Sequence, residues 1–204
     1  MQQSDFYFTV QDKEVVTEIK IKGSKFIAYA YHVGSVGQAE ELLSMARKKY
    51  YDATHVCYAF LIRENEFKYS DDGEPSGTAG PPILNAINHH HLQETLVIVV
   101  RYFGGTKLGT GGLIRAYFQA ADEVLKSAIR IKKIIWKELY LEAGYTYYNQ
   151  IMKLLEKYEG KPGNLKFSDK VSGKVLLPAS VVSEFIKELT EISAANVVIN
   201  KIGA

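Results

Sequence analysis

Along the first two thirds of the chain, segments whose apolar residues have strand spacing alternate with segments whose apolar residues have helical spacing. Apolar side chains recur every second position, or run continuously, in four segments that we interpret as strands: 15–22, 25–33, 54–63 and 95–103. The last segment is almost entirely apolar, which is typical of a strand at the centre of a sheet. Helical spacing marks residues 36–50, 82–91 and 113–129. This mixed order predicts an α+β fold.

The pattern breaks at residues 130–136, where Lys132 and Lys133 interrupt it. We therefore predict two domains, 1–131 and 136–204. The second has the element order β-α-β-β-α-β, which predicts a ferredoxin-like fold. Its predicted strands are 136–143, 164–170, 173–177 and 197–202, and its predicted helices are 146–158 and 179–192.

A basic, glycine-rich loop joins the apolar strand 95–103 to the helix that follows. Its glycines are Gly104, Gly105, Gly109, Gly111 and Gly112, and Thr110 lies among them. Glycines allow close backbone approach, and a helix N-terminus attracts anions, so we predict an anion or nucleic-acid site with Arg101, Lys107 and Arg115 as its cations. The alternative is that the glycines only permit a tight turn and that Arg115 is an ordinary solvated residue.

This loop does not fit the common nucleotide-binding motifs. Position 110 is Thr where a Walker loop needs Lys, and position 114 is Ile where a dinucleotide fingerprint needs Gly. We therefore predict no ATP or NAD cofactor.

A second, acidic glycine loop precedes it in residues 69–82. The segment 64–76 carries Glu64, Glu66, Asp71, Asp72 and Glu74 against Lys68, a net charge of −4, whereas residues 99–133 carry a net +5. Opposite charges predict that the two loops face each other. The candidate residues of this second loop are Asp71, Asp72, Glu74, Ser76, Gly77 and Thr78. Asp72 and Glu74 are weak candidates for Mg²⁺ ligands, and the alternative is that these residues only form turns.

Long stretches of both loops resemble one known family. KYSDDGEPSGTAGPPIL (68–84) and VVRYFGGTKLGTGGLIRAY (99–117) resemble the two signature motifs of the YigZ/IMPACT family. The resemblance implies that the first domain is similar to the second domain of a small-subunit ribosomal protein and to the fourth domain of elongation factor G. It also implies a small ferredoxin-like C-terminal domain. Eukaryotic relatives regulate translation through the activator of a stress kinase.

Composition indicates the kind of cellular compartment in which the protein is expected. The chain has 204 residues, a net charge of +2 and one cysteine, which excludes an internal disulfide framework and suits a reducing compartment. It has neither a membrane-length apolar stretch nor the pattern of a signal peptide, so we expect a cytoplasmic protein with no membrane partner. The oligomeric state stays open.

Other candidate chemistry is sparse. His55 could act as a general base, but a lone histidine in a strand is more typical of a structural role. Cys57 is expected to be a buried structural thiol. No nucleophile–base set appears. We therefore predict a non-catalytic, translation-associated regulatory factor that binds RNA, the ribosome or a translation-related protein through the basic loop. The alternative is an enzyme acting on a phosphorylated or nucleotide substrate with Mg²⁺.

Overall fold

The computed structural model describes residues 5–63 and 66–201, and these form two compact units. One unit is Phe8–Lys132, and the other combines residues 5–7 with residues 133–201. Glu64, which contributes to the acidic segment, and Ile202, the predicted end of the last strand, lie outside the described residues. Within the described ranges, no helix is long and apolar enough to cross a membrane.

The first unit is built on a five-stranded antiparallel sheet in the order β2-β3-β6-β4-β5. The strands are β2 (Val15–Ile21), β3 (Ser24–His32), β4 (His55–Arg63), β5 (Glu66–Ser70) and β6 (Thr95–Tyr102). The helices are α1 (Val36–Lys49), α2 (Gly80–His89) and α3 (Thr110–Ser127). The prediction that the apolar strand is central is confirmed, because β6 is the third of five strands.

Helices cover both faces of this sheet, and β6 shows the alternation most clearly. Leu96, Ile98 and Val100 pack with residues of α1, whereas Val97 and Val99 pack with residues of α2 and α3. Each face therefore has its own core, and this explains why β6 is apolar at nearly every position. Arg101 has the parity of Val97 and Val99, so its side chain belongs to the α2–α3 face.

The second unit contains a four-stranded antiparallel sheet in the order β11-β8-β10-β9. Its strands are β8 (Trp136–Ala143), β9 (Lys161–Phe167), β10 (Val171–Pro178) and β11 (Val198–Lys201), and its helices are α4 (Tyr148–Lys157) and α5 (Val182–Ile192). The two helices contribute Leu154, Leu155, Phe185 and Leu189 to one core with the sheet. The predicted order β-α-β-β-α-β is present, and the mixed α+β class is confirmed.

The segment expected to be a linker is a strand. Residues 130–134 form β7 (Arg130–Ile134), which pairs with β1 (Phe6–Val10) in a separate two-stranded sheet. The boundary between the units passes through both strands of this sheet, so residues 5–7 group with the second unit rather than with the first. Whether residues 1–131 and 136–204 fold as independent domains stays a prediction.

A core substitution in each unit tests that prediction. Phe185 and Ile98 are both fully buried, in the second and first units respectively. Phe185→Ala should cost about 3–5 kcal/mol and Ile98→Ala about 2–5 kcal/mol, because each leaves a cavity. We expect hydrogen exchange with peptide resolution to show reduced protection only in the unit that carries the substitution. Equally reduced protection in both units for either variant would contradict independent folding.

Candidate functional site

Arg101 is buried rather than exposed, which corrects its expected place on an open binding surface. Its side chain is 5% exposed, and its Nη1 donates to Glu74 Oε1 at 2.5 Å. Its Nη2 donates to Ser24 Oγ at 3.3 Å. The guanidinium also lies over the rings of Phe26 and Phe103, 5.5 and 5.6 Å from their centroids. Arg101 therefore neutralises an internal carboxylate and is not free to bind an external anion.

Glu74 is the centre of a buried polar network that links the acidic loop to β4, β6 and α3. Its Oε1 accepts from Arg101 on β6 and from the Tyr117 hydroxyl on α3, at 2.5 and 2.7 Å. Its Oε2 lies 3.8 Å from His55 Nε2 on β4. One carboxylate thus joins the acidic loop to three elements. The contact brings the acidic loop to the end of β6, the strand that leads into the glycine loop. That the two loops themselves face each other stays a prediction.

Asp71 fixes the rest of the acidic loop by accepting from backbone N–H groups. Oδ2 accepts from Gly77, and Oδ1 accepts from Ala79 and Gly80, at 2.8 to 2.9 Å. These donors lie at the start of α2, whose N-cap residue Ala79 has no side-chain cap of its own. Burial raises the pKa of Asp71, but the three N–H donors outweigh it, so the pKa is lowered below the usual aspartate range. Asp71 is therefore a structural cap.

Asp72 and Glu74 are poorly placed to be the metal ligands that the sequence suggested. Asp72 Oδ2 accepts from the Val56 N–H at 2.7 Å, and Oδ1 lies 3.8 Å from Arg47 Nη2. Glu74 is committed to Arg101 and Tyr117. Among residues 5–63 and 66–201, no group of three His, Cys, Asp or Glu side chains could hold a metal ion.

The remaining candidates of the acidic loop shape its turn. Gly77 has φ +79°, a conformation that glycine adopts readily, and its N–H reaches Asp71. Thr78 is buried, and its Oγ1 donates to Pro75 O at 2.6 Å. Ser76 is exposed. Only Ser76 of these three presents a side chain to an external partner.

The glycine loop leaves the sheet through a close backbone contact. A Cβ added to Gly104 would lie 1.8 Å from the carbonyl carbon of Gly23, in the turn between β2 and β3. The Gly104 N–H donates to Ser24 Oγ at 3.2 Å. Gly104 is therefore required because no side chain fits between the two backbones. Gly105 and Gly109, at φ +83° and +71°, have open space around them.

The predicted loop ends earlier than the sequence indicated, because α3 begins at Thr110. Thr110, Gly111 and Gly112 thus form the first turn of α3 rather than a loop. The first intrahelical bond is donated by the Leu113 N–H to Gly109 O, and no side chain caps the helix. The preceding N–H groups of this turn therefore lack intrahelical acceptors.

Lys107 and Arg115 are the exposed cations of this region. Arg115 Nη1 would lie 3.6 Å from a Cβ on Gly111, so its guanidinium lies beside the first turn of α3. Neither side chain has an ion-pair partner in the part of the chain that the structure describes. They provide free positive charge beside uncapped N–H groups, an arrangement that favours an anion.

His55 and Cys57, both on β4, contact backbone carbonyl groups of the acidic loop. His55 Nδ1 is 2.8 Å from the Asp72 carbonyl oxygen, which can only accept, so Nδ1 carries a proton. Cys57 Sγ contacts Asp71 O at 3.0 Å and Tyr117 Oη at 3.4 Å. Burial raises the pKa of the Cys57 thiol well above its ordinary value. Cys57 is therefore a structural thiol and not a nucleophile.

A known protein domain matches the whole region that contains these loops. Residues 22–125, which include both loops and the Glu74 network, match the model of the Impact N-terminal domain. The chain is 34% identical over 189 residues to IMPACT family member YvyE of Bacillus subtilis, covering 92% of this chain and 87% of that one. The chain belongs to the IMPACT family.

Further IMPACT family relatives extend the likeness beyond the first unit. Escherichia coli YigZ is 35% identical over 178 residues, covering 85% of this chain and 87% of YigZ. A crystal structure of a hypothetical protein superposes with a TM-score of 0.70 at 31% identity and covers 98% of this chain and 99% of its own. The family likeness therefore includes both units.

Sequence reasoning missed three residues that complete the site in this IMPACT family chain. Ser24 accepts from both Arg101 and Gly104, and Gly23 allows the close contact with the glycine loop. Tyr117 supplies a hydroxyl to Glu74 from a helix stripe that is otherwise apolar. The Gly23-Ser24 pair and the lone hydroxyl on that stripe are sequence signals, but neither indicates its partner.

Neutralising Glu74 should destabilise the protein strongly. Glu74→Gln leaves the Arg101 guanidinium buried without its counter-charge, a loss of about 3–5 kcal/mol in the free energy of unfolding. Tyr117→Phe removes one hydrogen bond and should cost about 1 kcal/mol. Urea denaturation measures both. Lys174→Ala, which breaks the exposed pair with Glu138, is the matched control and should cost less than about 1 kcal/mol. A Glu74→Gln cost no larger than that of the control would contradict a structural role for the pair.

Asp71 should make stability depend on pH. Its pKa is lowered in the folded state, so its contribution is fully present above the ordinary aspartate pKa of about 4 and is lost as the pH falls through the folded pKa. Asp71→Asn should therefore be less stable than wild type at pH 7, and the difference should shrink below about pH 4. Denaturation at pH 7 and pH 3 checks this. Asp169→Asn, at an exposed carboxylate with no partner among the described residues, is the control. A difference that stays constant with pH would refute the capping role.

Proposed function

We propose that this IMPACT family protein is a non-catalytic, translation-associated factor that contacts RNA, the ribosome or a translation-related protein through the glycine loop and the start of α3. The observation that carries the proposal is the pair of exposed cations, Lys107 and Arg115, which have no ionic partner within the described ranges and flank an uncapped helix N-terminus. Family membership supports the link to translation, because eukaryotic relatives regulate that process.

The distribution of charge supports binding over catalysis. The acidic carboxylates Asp71, Asp72 and Glu74 all accept hydrogen bonds inside the unit. A Mg²⁺-dependent enzyme would need such groups turned towards a substrate. The cations at the glycine loop are instead the groups that face outward. The enzyme alternative therefore lacks its metal ligands unless the loop rearranges.

The finer fold assignments agree with this proposal. The sheet order β11-β8-β10-β9 is that of a split βαβ unit, so we assign the second unit to the ferredoxin-like class. For the first unit we retain the likeness to a ribosomal-protein domain and to domain IV of elongation factor G. Both likenesses favour a partner in translation by analogy of fold, and the site residues carry the functional argument.

Removing the two exposed cations should weaken RNA binding without unfolding the protein. For a single strand, each cation that no longer binds a phosphate should flatten the log–log salt dependence by about 0.7, so Lys107→Gln with Arg115→Gln should reduce the slope by about 1.4. Fluorescence anisotropy with a labelled single-stranded RNA over a salt series measures this, and thermal denaturation checks folding. Arg101 is left unchanged because its replacement would disrupt the core.

The matched control changes the same number of charges in the second unit. Lys166→Gln with Lys187→Gln removes two lysines that have no ion pair among the described residues. Co-sedimentation of the wild type and both variants with ribosomes from lysate tests the ribosomal partner. Identical binding and salt slopes for all three proteins would contradict the proposed interface. A Lys107/Arg115 variant that lost phosphohydrolase turnover, with its RNA binding unchanged, would establish the enzyme alternative instead.

A further inference from the structure

A polar groove lies in the first unit, on the face of the sheet covered by α1. It has a volume of about 590 Å³ and is bordered by α1, the turn after α1, and strands β4 and β5. Residues that determine its chemistry are Glu40, Arg47, Lys48, Tyr51, Tyr58 and Lys68. None of them belongs to the glycine loop or to the Glu74 network. The volume is in the range of small-ligand sites.

The lining of this groove includes a tyrosine hydroxyl without a protein partner. Tyr58 on β4 is only 6% exposed, and its ring stacks on Phe60 with the centroids 6.3 Å apart. In residues 5–63 and 66–201, nothing forms a hydrogen bond with its Oη. The ring of Tyr58 is buried, whereas its hydroxyl is not one of the buried unpaired polar atoms and therefore reaches the groove. A polar ligand atom in the groove can take the place of the water that such a hydroxyl binds.

The charges of the groove are unequal at its two ends. Lys68 on β5 pairs with Glu40 on α1 at 3.2 Å and is neutralised there. Two turns further along α1, Arg47 has only a long 3.8 Å contact with Asp72, and Lys48 has no ion pair among the described residues. The C-terminal end of α1 therefore carries excess positive charge. The helix dipole accounts for cations at this place, but it does not account for the two tyrosines beside them.

An aromatic ring stands at the rim next to these cations. Tyr51, in the turn after α1, is 87% exposed, and its ring stacks on no other in the described part of the chain. A tyrosine this exposed contributes no buried apolar surface to the core. Beside Arg47 and Lys48 it offers a flat surface on which a planar ring can stack, next to charges that attract phosphate.

From this combination we infer that the groove is a nucleotide-binding site. The ligand's phosphate lies against Arg47 and Lys48, its base stacks on Tyr51, and one polar atom bonds the Tyr58 hydroxyl. At the opposite end Glu40 and Lys68 offset each other's charge, so the phosphate is favoured beside Arg47 and Lys48, and this sets the direction of the ligand. The same chemistry is present in a free nucleotide and in one nucleotide of a single strand. This site is separate from the glycine loop and does not depend on Lys107 or Arg115.

The test uses the full chain with two probes, AMP and a fluorescein-labelled ten-nucleotide oligouridylate. Tyr51→Leu should weaken binding of the oligonucleotide roughly tenfold, whereas Tyr51→Phe, which keeps the ring, should bind as wild type does. Tyr58→Phe removes only the hydroxyl and should weaken binding several-fold. Arg47→Gln with Lys48→Gln removes the contact with one phosphate and should flatten the log–log salt slope by about 0.7. Lys166→Gln with Lys187→Gln is again the charge-matched control.

The outcomes separate the two ligand sources and the two sites. Binding of AMP that is abolished in the Arg47/Lys48 variant identifies a free-nucleotide site, and binding of the oligonucleotide alone identifies a site for a strand. If the Tyr51→Leu and Arg47/Lys48 variants lose binding while the Lys107/Arg115 variant keeps it, the result supports the groove as the binding site and contradicts the glycine-loop interface. The reverse pattern overturns the groove and leaves the glycine-loop interface standing. A wild-type protein that binds neither probe overturns the groove as well.

Discussion

The ion pair between Glu74 and Arg101 is the interaction on which the arrangement of the first unit's loops depends. Burying both charges costs several kcal/mol per ion, which one ion pair rarely offsets with a surplus. Here the carboxylate also accepts from Tyr117, and the guanidinium also donates to Ser24. The network therefore fixes the position of the acidic loop, the end of β6, the start of β3 and the middle of α3. Its main effect is to specify one arrangement of these segments.

The glycine loop is held at its base and open at its tip. At the base, Gly104 contacts Gly23 so closely that neither position tolerates a side chain, and Ser24 bonds the Gly104 N–H. At the tip, Gly105 and Gly109 have positive φ and empty surroundings. The glycines thus serve two purposes. One permits packing between backbones, and the others permit a path that leads into α3 with its first N–H groups unpaired.

Strong local patterns were predictable from sequence, and contacts between distant residues were only partly so. The central position of β6 and the helical stripe of α3 follow from apolar periodicity, because both elements bury their apolar faces. The strands β5 and β7 were missed because their burial is low, so they show little alternation. β1 was missed although Thr9 and Val10 are buried, because its two buried residues are consecutive and give no alternation. Opposite charges in the two loops predicted an attraction, and the contact found joins Glu74 of the acidic loop to Arg101 at the end of β6. They could not predict that Arg101 is occupied by that contact, since an arginine's partner depends on the strand parity that directs its side chain.

The internal pairing also affects the charge that the first unit presents to a partner, although the net charge of the chain is only +2. Asp71, Asp72 and Glu74 accept hydrogen bonds from backbone groups and Arg101, so their charge is compensated within the unit. Lys107, Arg115 and Lys48 have no ion-pair partners in the described residues. Formal charge counts treat every charge of the two loops alike, whereas in the fold Glu74 and Arg101 are buried together and offset each other. Near these exposed cations we expect a more positive field than the sequence total suggests, and this field should accelerate encounters with anions in a salt-dependent way.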